Sequence, residues 1–270
     1  MQVEFRPETH KYVTIGDENR EWTSVTTLIG RFSEPFDAPV MAERCSKKNG
    51  SKWFGMDPQE IIAIWDRENK RSTDLGSWYH DQRENDVLGC NTISVNGIDL
   101  PIYRSEYVDG KKVSPSQELV DGVYPEHMMY LDSHSICGQS DVVSVSNGVV
   151  SILDYKSCKK IDLESVKGKG GKKIKMLPPV QHLDDCNFYH YSLQLSMYMY
   201  MALKHNPKLK PGKLTLQHVI FEVAQEDAFG YPILRLNEMG DPIVKNVINY
   251  DCPYLKKEIE NILKYIKIKR

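Results

Sequence analysis

Two aspartates and a lysine near the middle of the chain stand at a spacing that can do chemistry: Asp141, Asp154 and Lys156. Between the aspartates lies Asn147-Gly148, flanked by the runs DVVSVS and VVSILDYK. Asn-Gly between two apolar runs is the strongest short-range signal for a two-residue hairpin loop, usually a type I′ turn. With those residues as the loop, Ser146 faces Val149, and counting back along both strands sets Asp141 opposite Asp154. Directly opposed β-carbons lie about 4.5–5.5 Å apart on one face of a sheet. Alternation puts Val143, Val145, Val150 and Ile152 on that face, and Lys156 with them. An apolar, core-facing stripe therefore ends in two acids and an ammonium.

Like charges opposed across a ladder are destabilising, and more so beside a dry core. Protonation of one carboxyl, a cation shared between them, or neutralisation by Lys156 would each relieve the repulsion. A divalent cation with Lys156 beside it accounts for all three residues, and an oxygen-rich set of this kind suits Mg2+ or Mn2+.

These residues need a scaffold. A chain of 270 residues, 40% hydrophobic and 27% charged, reads as one ordinary globular domain over 1–270. No run reaches the roughly 18 apolar residues of a membrane span. The opening MQVEFRPETHKY is no signal peptide, so a cytoplasmic protein is the expectation. A net charge of −2 excludes a global field that draws in nucleic acid. Local basic patches exist at 167–175 (KGKGGKKIK) and in the lysine-rich C-terminus. The six cysteines include no C-x-x-C, which excludes the usual zinc-ribbon and thioredoxin spacings and predicts free thiols.

The patterning predicts a mainly helical portion over 1–117 and an α/β core over 118–270. HKYVTI and EWTSV read as a strand pair about a GDENR turn, leading to a helix near Val25 capped by Ser24 or Thr26. Helical stretches follow in APVMAERCSKK, DPQEIIAIWDRENKR and TDLGSWYHDQREND, with Asp57-Pro58 opening the second. Residues 91–116 read as polar and strand-poor, and 118–124 as a short helix. After the hairpin come a basic loop over 162–180 and a helix over DDCNFYHYSLQLSMYMYMALKH. Strands LTLQHVIFEV and YPILRL follow, then an amphipathic helix from about Pro253 to Lys269.

Gly138-Gln139-Ser140-Asp141 followed by Asp154-Tyr155-Lys156 resembles motifs II and III of the RecB-like branch of the PD-(D/E)XK nuclease superfamily. His80 in LGSWYH resembles the branch's G-x-x-x-H, and Gln194 to Tyr198 resembles its Q-x-x-x-Y, whose ends share one helical face. The resemblance covers roughly 70–205. HKYVTI, SVTTLIGRF and PFD look like the opening of phage-encoded exonucleases of this branch, which also holds a mitochondrial genome maintenance exonuclease.

The resemblance implies a restriction-endonuclease-like α/β core: a central mixed sheet flanked by helices, with a helical N-terminal portion. It implies an Mg2+- or Mn2+-dependent exonuclease that hydrolyses phosphodiesters at DNA ends, in recombination, repair or phage DNA processing. Asp141, Asp154 and Lys156 would be catalytic. One or two ions would be held by His80, Asp141, Asp154 and the Tyr155 backbone carbonyl, with Glu126 a further acidic candidate. Gln194 and Tyr198 would approach the site or the DNA, while Lys169, Lys172 and Lys173 in the basic loop would contact phosphates without reading sequence.

Asp154 departs from the Glu common in the branch. Relatives with an iron–sulfur cluster carry closely spaced cysteines near the C-terminus, where this chain has only Cys252, so no cluster is expected. DNA, single- or double-stranded, is the expected partner, with room for a homo-oligomer or a recombination partner protein. The alternatives are an endonuclease on DNA or RNA, or a non-catalytic nucleic-acid-binding module on a nuclease fold. Three smaller features stay open. Trp53, Phe54, Trp65 and Trp78 could stack unpaired bases or pack a core. His182, Cys186 and His190 have zinc-compatible spacing but no fourth ligand in view. Cys137 and Cys158 would meet if the hairpin ladder ran that far.

Overall fold

A computed structural model of the chain describes residues 2–6, 9, 11–95 and 97–268, the side chains of Lys169 and Ile268 excepted. His10 and Lys269, which belong to sequence-predicted elements, and the Lys169 side chain lie outside the described residues. The chain begins with β1 (Val3–Arg6), β2 (Lys11–Thr14), β3 (Thr23–Ser24) and the helices α1 (Val25–Gly30), α2 (Ala38–Lys47) and α3 (Pro58–Leu88). Short strands β4 (Thr92–Val95), β5 (Ile98–Pro101), β6 (Glu106–Val108) and β7 (Lys111–Val113) precede the long strands β8 (Gly122–Leu131), β9 (Ile136–Ser146) and β10 (Val149–Lys156). Then come α4 (Asn187–His205), β11 (Lys210–Phe221), β12 (Val223–Glu226), β13 (Pro232–Leu234), β14 (Val244–Cys252) and α5 (Lys256–Ile268).

The β9–β10 hairpin turns where the sequence places it. Asn147 and Gly148 both have positive φ, 52° and 73°, as a type I′ turn demands. Ser146 pairs Val149, Val145 pairs Val150 and Val143 pairs Ile152. Val143, Val145, Val150 and Ile152 are at most 1% exposed, each burial contributing about 1.5–3 kcal/mol.

The fold is mixed α/β about a mixed central sheet. Its strands run β14-β11-β10-β9-β3, with β8 also on β9. β10 and β11 are parallel, as are β3 and β9, and the remaining pairs are antiparallel. α4 makes the crossover from β10 to β11, because two parallel neighbours cannot be joined by a tight turn. One face of the sheet buries its valines and leucines against α1, α4 and α5. On the other, Val142, Leu153, Tyr155, Val219 and Phe221 meet Leu75, Trp78 and Tyr79 of α3. A satellite core joins α2 and the start of α3 through Ala42, Trp53, Ile61 and Ile64. Ser24 caps α1 by accepting from the Thr27 amide at 3.1 Å, and Asp57 caps α3 by accepting from Gln59 at 2.7 Å. No described helix is long and apolar enough to cross a membrane.

Several expectations are corrected. β2 pairs with β1, not with the EWTSV stretch, whose β3 instead extends the central sheet. The two helices expected between 58 and 86 are one continuous helix, since nothing between Lys70 and Leu75 breaks it. Residues 91–116 hold two small hairpins, β4–β5 and β6–β7, and the latter completes a sheet ordered β2-β1-β7-β6. Among the described residues, the portion 1–117 thus mixes three helices with seven short strands. No helix forms over 118–124, where Gly122 begins β8. β14 went unread because it is an edge strand exposed along most of its length, without the alternation of a half-buried one.

Gly138 carries one of the closest approaches. A β-carbon there would come within 2.9 Å of the Tyr198 ring and 3.1 Å of Val25. Gly138→Ala should lower stability by about 1–3 kcal/mol through overpacking. A urea melt would read this as a lower midpoint, and an unchanged midpoint would show that Tyr198 yields without cost.

Candidate metal centre and active-site cleft

The site lies where one strand loses a neighbour. β8 runs along one edge of β9. The other edge pairs with β10 from Val142 to Ser146 and with β3 at Ile136 and Cys137. Between them, Gly138 to Asp141 have no described strand beside them on that edge. Backbone donors in an interior must still be satisfied. The Asp141 side chain does this for Tyr155: its Oδ2 accepts the Tyr155 amide hydrogen at 2.6 Å.

The same register sets Glu126 opposite Asp141 on β8, between the pairs Pro125–Val142 and His127–Ser140. Glu126 has φ 47°, a left-handed conformation that costs a non-glycine residue about 1–3 kcal/mol and persists where surroundings impose it. Its carboxylate accepts from the Gln139 amide. From the other side α3 brings His80. Its Nδ1 lies 3.4 Å from Asp141 Oδ1 and 3.8 Å from Glu126 Oε1, and its Nε2 lies 3.2 Å from the Tyr155 carbonyl oxygen. Ligand atoms of His80, Glu126 and Asp141 all fall within 4.8 Å of one another, a group that can hold a metal ion.

With acceptors at both ring nitrogens, His80 is an imidazolium. Burial opposes that charge, but Asp141 and Glu126 outweigh it and the pKa is pushed up to about 10. Asp154 is only 1% exposed. Burial raises its pKa, Lys156 offsets part of the rise, and Asp141 adds to it. Its carboxylate pairs with the Lys156 ammonium and accepts from Gln194 Nε2 at 3.3 Å. Lys156 also donates to the Tyr155 carbonyl at 3.2 Å and lies 5.1 Å from the Tyr191 ring centroid. Burial opposes its charge too, yet Asp154 and Asp141 hold it as ammonium, above the usual lysine value. His80, Tyr155, Lys156, Ser157 and Tyr191 line an open cleft of about 240 Å³.

Asp141 and Asp154, expected to face each other across the hairpin, each have other near partners as well. The β9–β10 ladder ends at Leu153–Val142. Beyond it Asp141 turns to Tyr155 and His80, while Asp154 turns to Lys156 and Gln194. Glu126, the further acidic candidate in the sequence, joins His80 and Asp141 in the cluster. Gln194 and Tyr198 are 9% and 2% exposed, so they support the centre from below and do not present a surface to a polynucleotide. Lys173 is engaged by Glu164 and Asp184, Lys172 is exposed, and neither lines the cleft.

Of the remaining open features, most resolve as packing or ion pairs. Trp53 stacks on Phe229, and Trp78 packs on Phe221. Phe54 stays 57% exposed, and Trp65 packs edge-on against Trp53. His182 pairs with Glu258 and His190 with Asp185, which separates them as ligands. Cys137 pairs in register with Tyr130 and Ser24, far along β9 from where the ladder to β10 stops, and all six cysteines are free. Sequence reading missed Tyr191 and Gln139. The signals were there: Tyr191 is three residues before Gln194 on one helical face, and Gln139 sits inside the Gly138–Asp141 motif.

Folding stabilises the charged form of His80, so its contribution is complete below the unfolded value near 6.5 and is lost as pH rises through about 10. In metal-free protein the stability advantage of wild type over His80→Gln, read by urea unfolding, should shrink between pH 6 and pH 10.5. A difference that stays constant would remove the imidazolium assignment. No protein-family model matches this chain, and no curated protein does either, so the chemistry of the centre stands on its own geometry.

Proposed function

We propose that this chain is a metal-dependent nuclease with a PD-(D/E)XK-like core, acting as an exonuclease on DNA ends. The observation that carries this reading is the His80–Glu126–Asp141 cluster at an interrupted sheet edge, whose His80 lines one cleft together with Lys156. The four sequence motifs, in order, support it.

The donor set suits a divalent ion. Two carboxylates favour Mg2+ or Mn2+, and the imidazole moves the preference toward Mn2+. Held by His80, Glu126 and Asp141, such an ion would lower the pKa of water and stabilise charge developing on a phosphate. Binding requires His80 to give up its proton, since only the neutral ring is a ligand. Asp141 keeps its second oxygen on the Tyr155 amide, which fixes its orientation. The Lys156 ammonium faces the cleft and would offset phosphate charge. As an ammonium held by Asp154 it is suited to that role rather than to taking a proton. Gln194 in turn holds Asp154 in place.

With Mn2+, end-labelled single and double strands should be degraded from an end, EDTA should stop this, and closed circles should survive. Degraded circles would establish an endonuclease instead. A wild type that binds DNA or RNA but cuts neither would establish a binding module. Asp141→Asn should lower kcat at least about a hundredfold. Gln194→Ala, which removes the hydrogen bonds to Asp154 and to the Tyr198 hydroxyl, should cost about 10–100-fold while leaving oligonucleotide binding in EDTA unchanged. Full activity in Asp141→Asn would refute the centre.

A further inference from the structure

A second cleft, of about 360 Å³, opens between α3, the end of β11 and the arm formed by β12 and β13. It shares Ser72, Ser157 and Cys158 with the cleft at Lys156, so the two are adjacent. We propose that this second cleft binds one unpaired nucleobase of a strand whose phosphate lies at Lys156, an inference that rests on the nuclease reading above.

The chemistry of the walls selects the occupant. Leu75, Val219, Phe221 and Leu234 supply an apolar surface, and Asn69 and Ser72 add an amide and a hydroxyl. Few polar groups on an apolar wall make the usual small-molecule site, and the volume falls in the usual range of roughly 300–1,000 Å³. Charge argues against a phosphate here. The Arg71 guanidinium is engaged by Glu68 at 2.8 Å and by the Pro232 carbonyl, and Glu226 adds a further negative group. A flat, neutral heterocycle with hydrogen-bonding edges meets the apolar wall, the amide and the hydroxyl, whereas an anion meets Glu68 and Glu226 as well as Arg71 and Lys159, a lining with no excess of positive charge.

The site is preformed. Arg71 ties α3 to β13, Trp53 stacks on Phe229 at 5.3 Å, and Lys52 lies 4.5 Å from the centre of the Tyr231 ring. These contacts anchor the arm that forms the outer wall. A base held in a duplex is stacked and paired, and reaching such a cleft means leaving the stack. The cleft therefore makes the enzyme prefer single strands or frayed ends.

The test compares two single strands of equal length, oligothymidylate and a strand built from abasic residues, with Mn2+ present. Wild type should favour the thymidylate by about tenfold in kcat/KM, the scale of one base contact. Val223→Trp fills the cleft from a half-exposed strand position and should abolish that preference, with the abasic strand cut as before. Asn69→Ala, on an exposed helical face, should reduce the preference and serves if the tryptophan variant does not fold. In EDTA, an oligonucleotide carrying 5-iodouracil should crosslink within 219–234. Equal rates on both strands in wild type, a preference that survives both substitutions, or crosslinks confined elsewhere would overturn this site while the nuclease reading stands. A wild type that cuts neither strand overturns both.

Discussion

The centre depends on one backbone hydrogen that has no strand to receive it. Where β10 and β3 both fall short on the same edge of β9, the Tyr155 amide would be buried without a partner, at a cost of about 1–3 kcal/mol. Asp141 supplies the missing acceptor through its side chain. That single bond fixes the orientation of a carboxylate that the pleat alone would leave free to rotate. It also leaves Asp141 Oδ1 aimed at His80. The gap in the sheet and the ordered ligand are thus one feature.

Around that bond the charges are arranged to tolerate burial. Three carboxylates, Glu126, Asp141 and Asp154, would repel one another in a place where water cannot screen them. His80 and Lys156 stand between them as cations, each held in its charged form by the acids it faces. The acids still outnumber the cations, so the protein alone leaves the centre slightly electronegative. A divalent ion would complete the balance by displacing the His80 proton. The strained backbone at Glu126 belongs to the same arrangement, since an ordinary strand conformation would aim its carboxylate elsewhere.

The rest of the fold holds these groups in register. α4 packs under the sheet and sends Gln194 to Asp154, and Tyr198 fills the space that Gly138 leaves. α3 crosses the opposite face and delivers His80, anchored one residue earlier by Tyr79 against Tyr155 and Phe221. The same helix then forms a wall of both clefts. One rigid element therefore places a candidate metal ligand and borders both clefts, which is how a scaffold keeps a site in fixed geometry.

Local rules made the hairpin legible in the sequence. Asn147-Gly148 set the turn, the turn set the register, and the register put Asp141, Asp154 and Lys156 at one end of an apolar stripe. The caps at Ser24 and Asp57 and the amphipathic face of α5 were readable for the same reason, because each depends on residues a few positions apart. What the sequence left undetermined were the long-range partners. It could not show that β3 joins the central sheet, that β1 and not β3 pairs with β2, or that β14 closes an edge. Nor could it show where the β9–β10 ladder stops. Those outcomes follow from competition among distant segments for the same strand edges. That competition, and no local spacing, set His80 and Glu126 beside Asp141 and Gln194 beside Asp154.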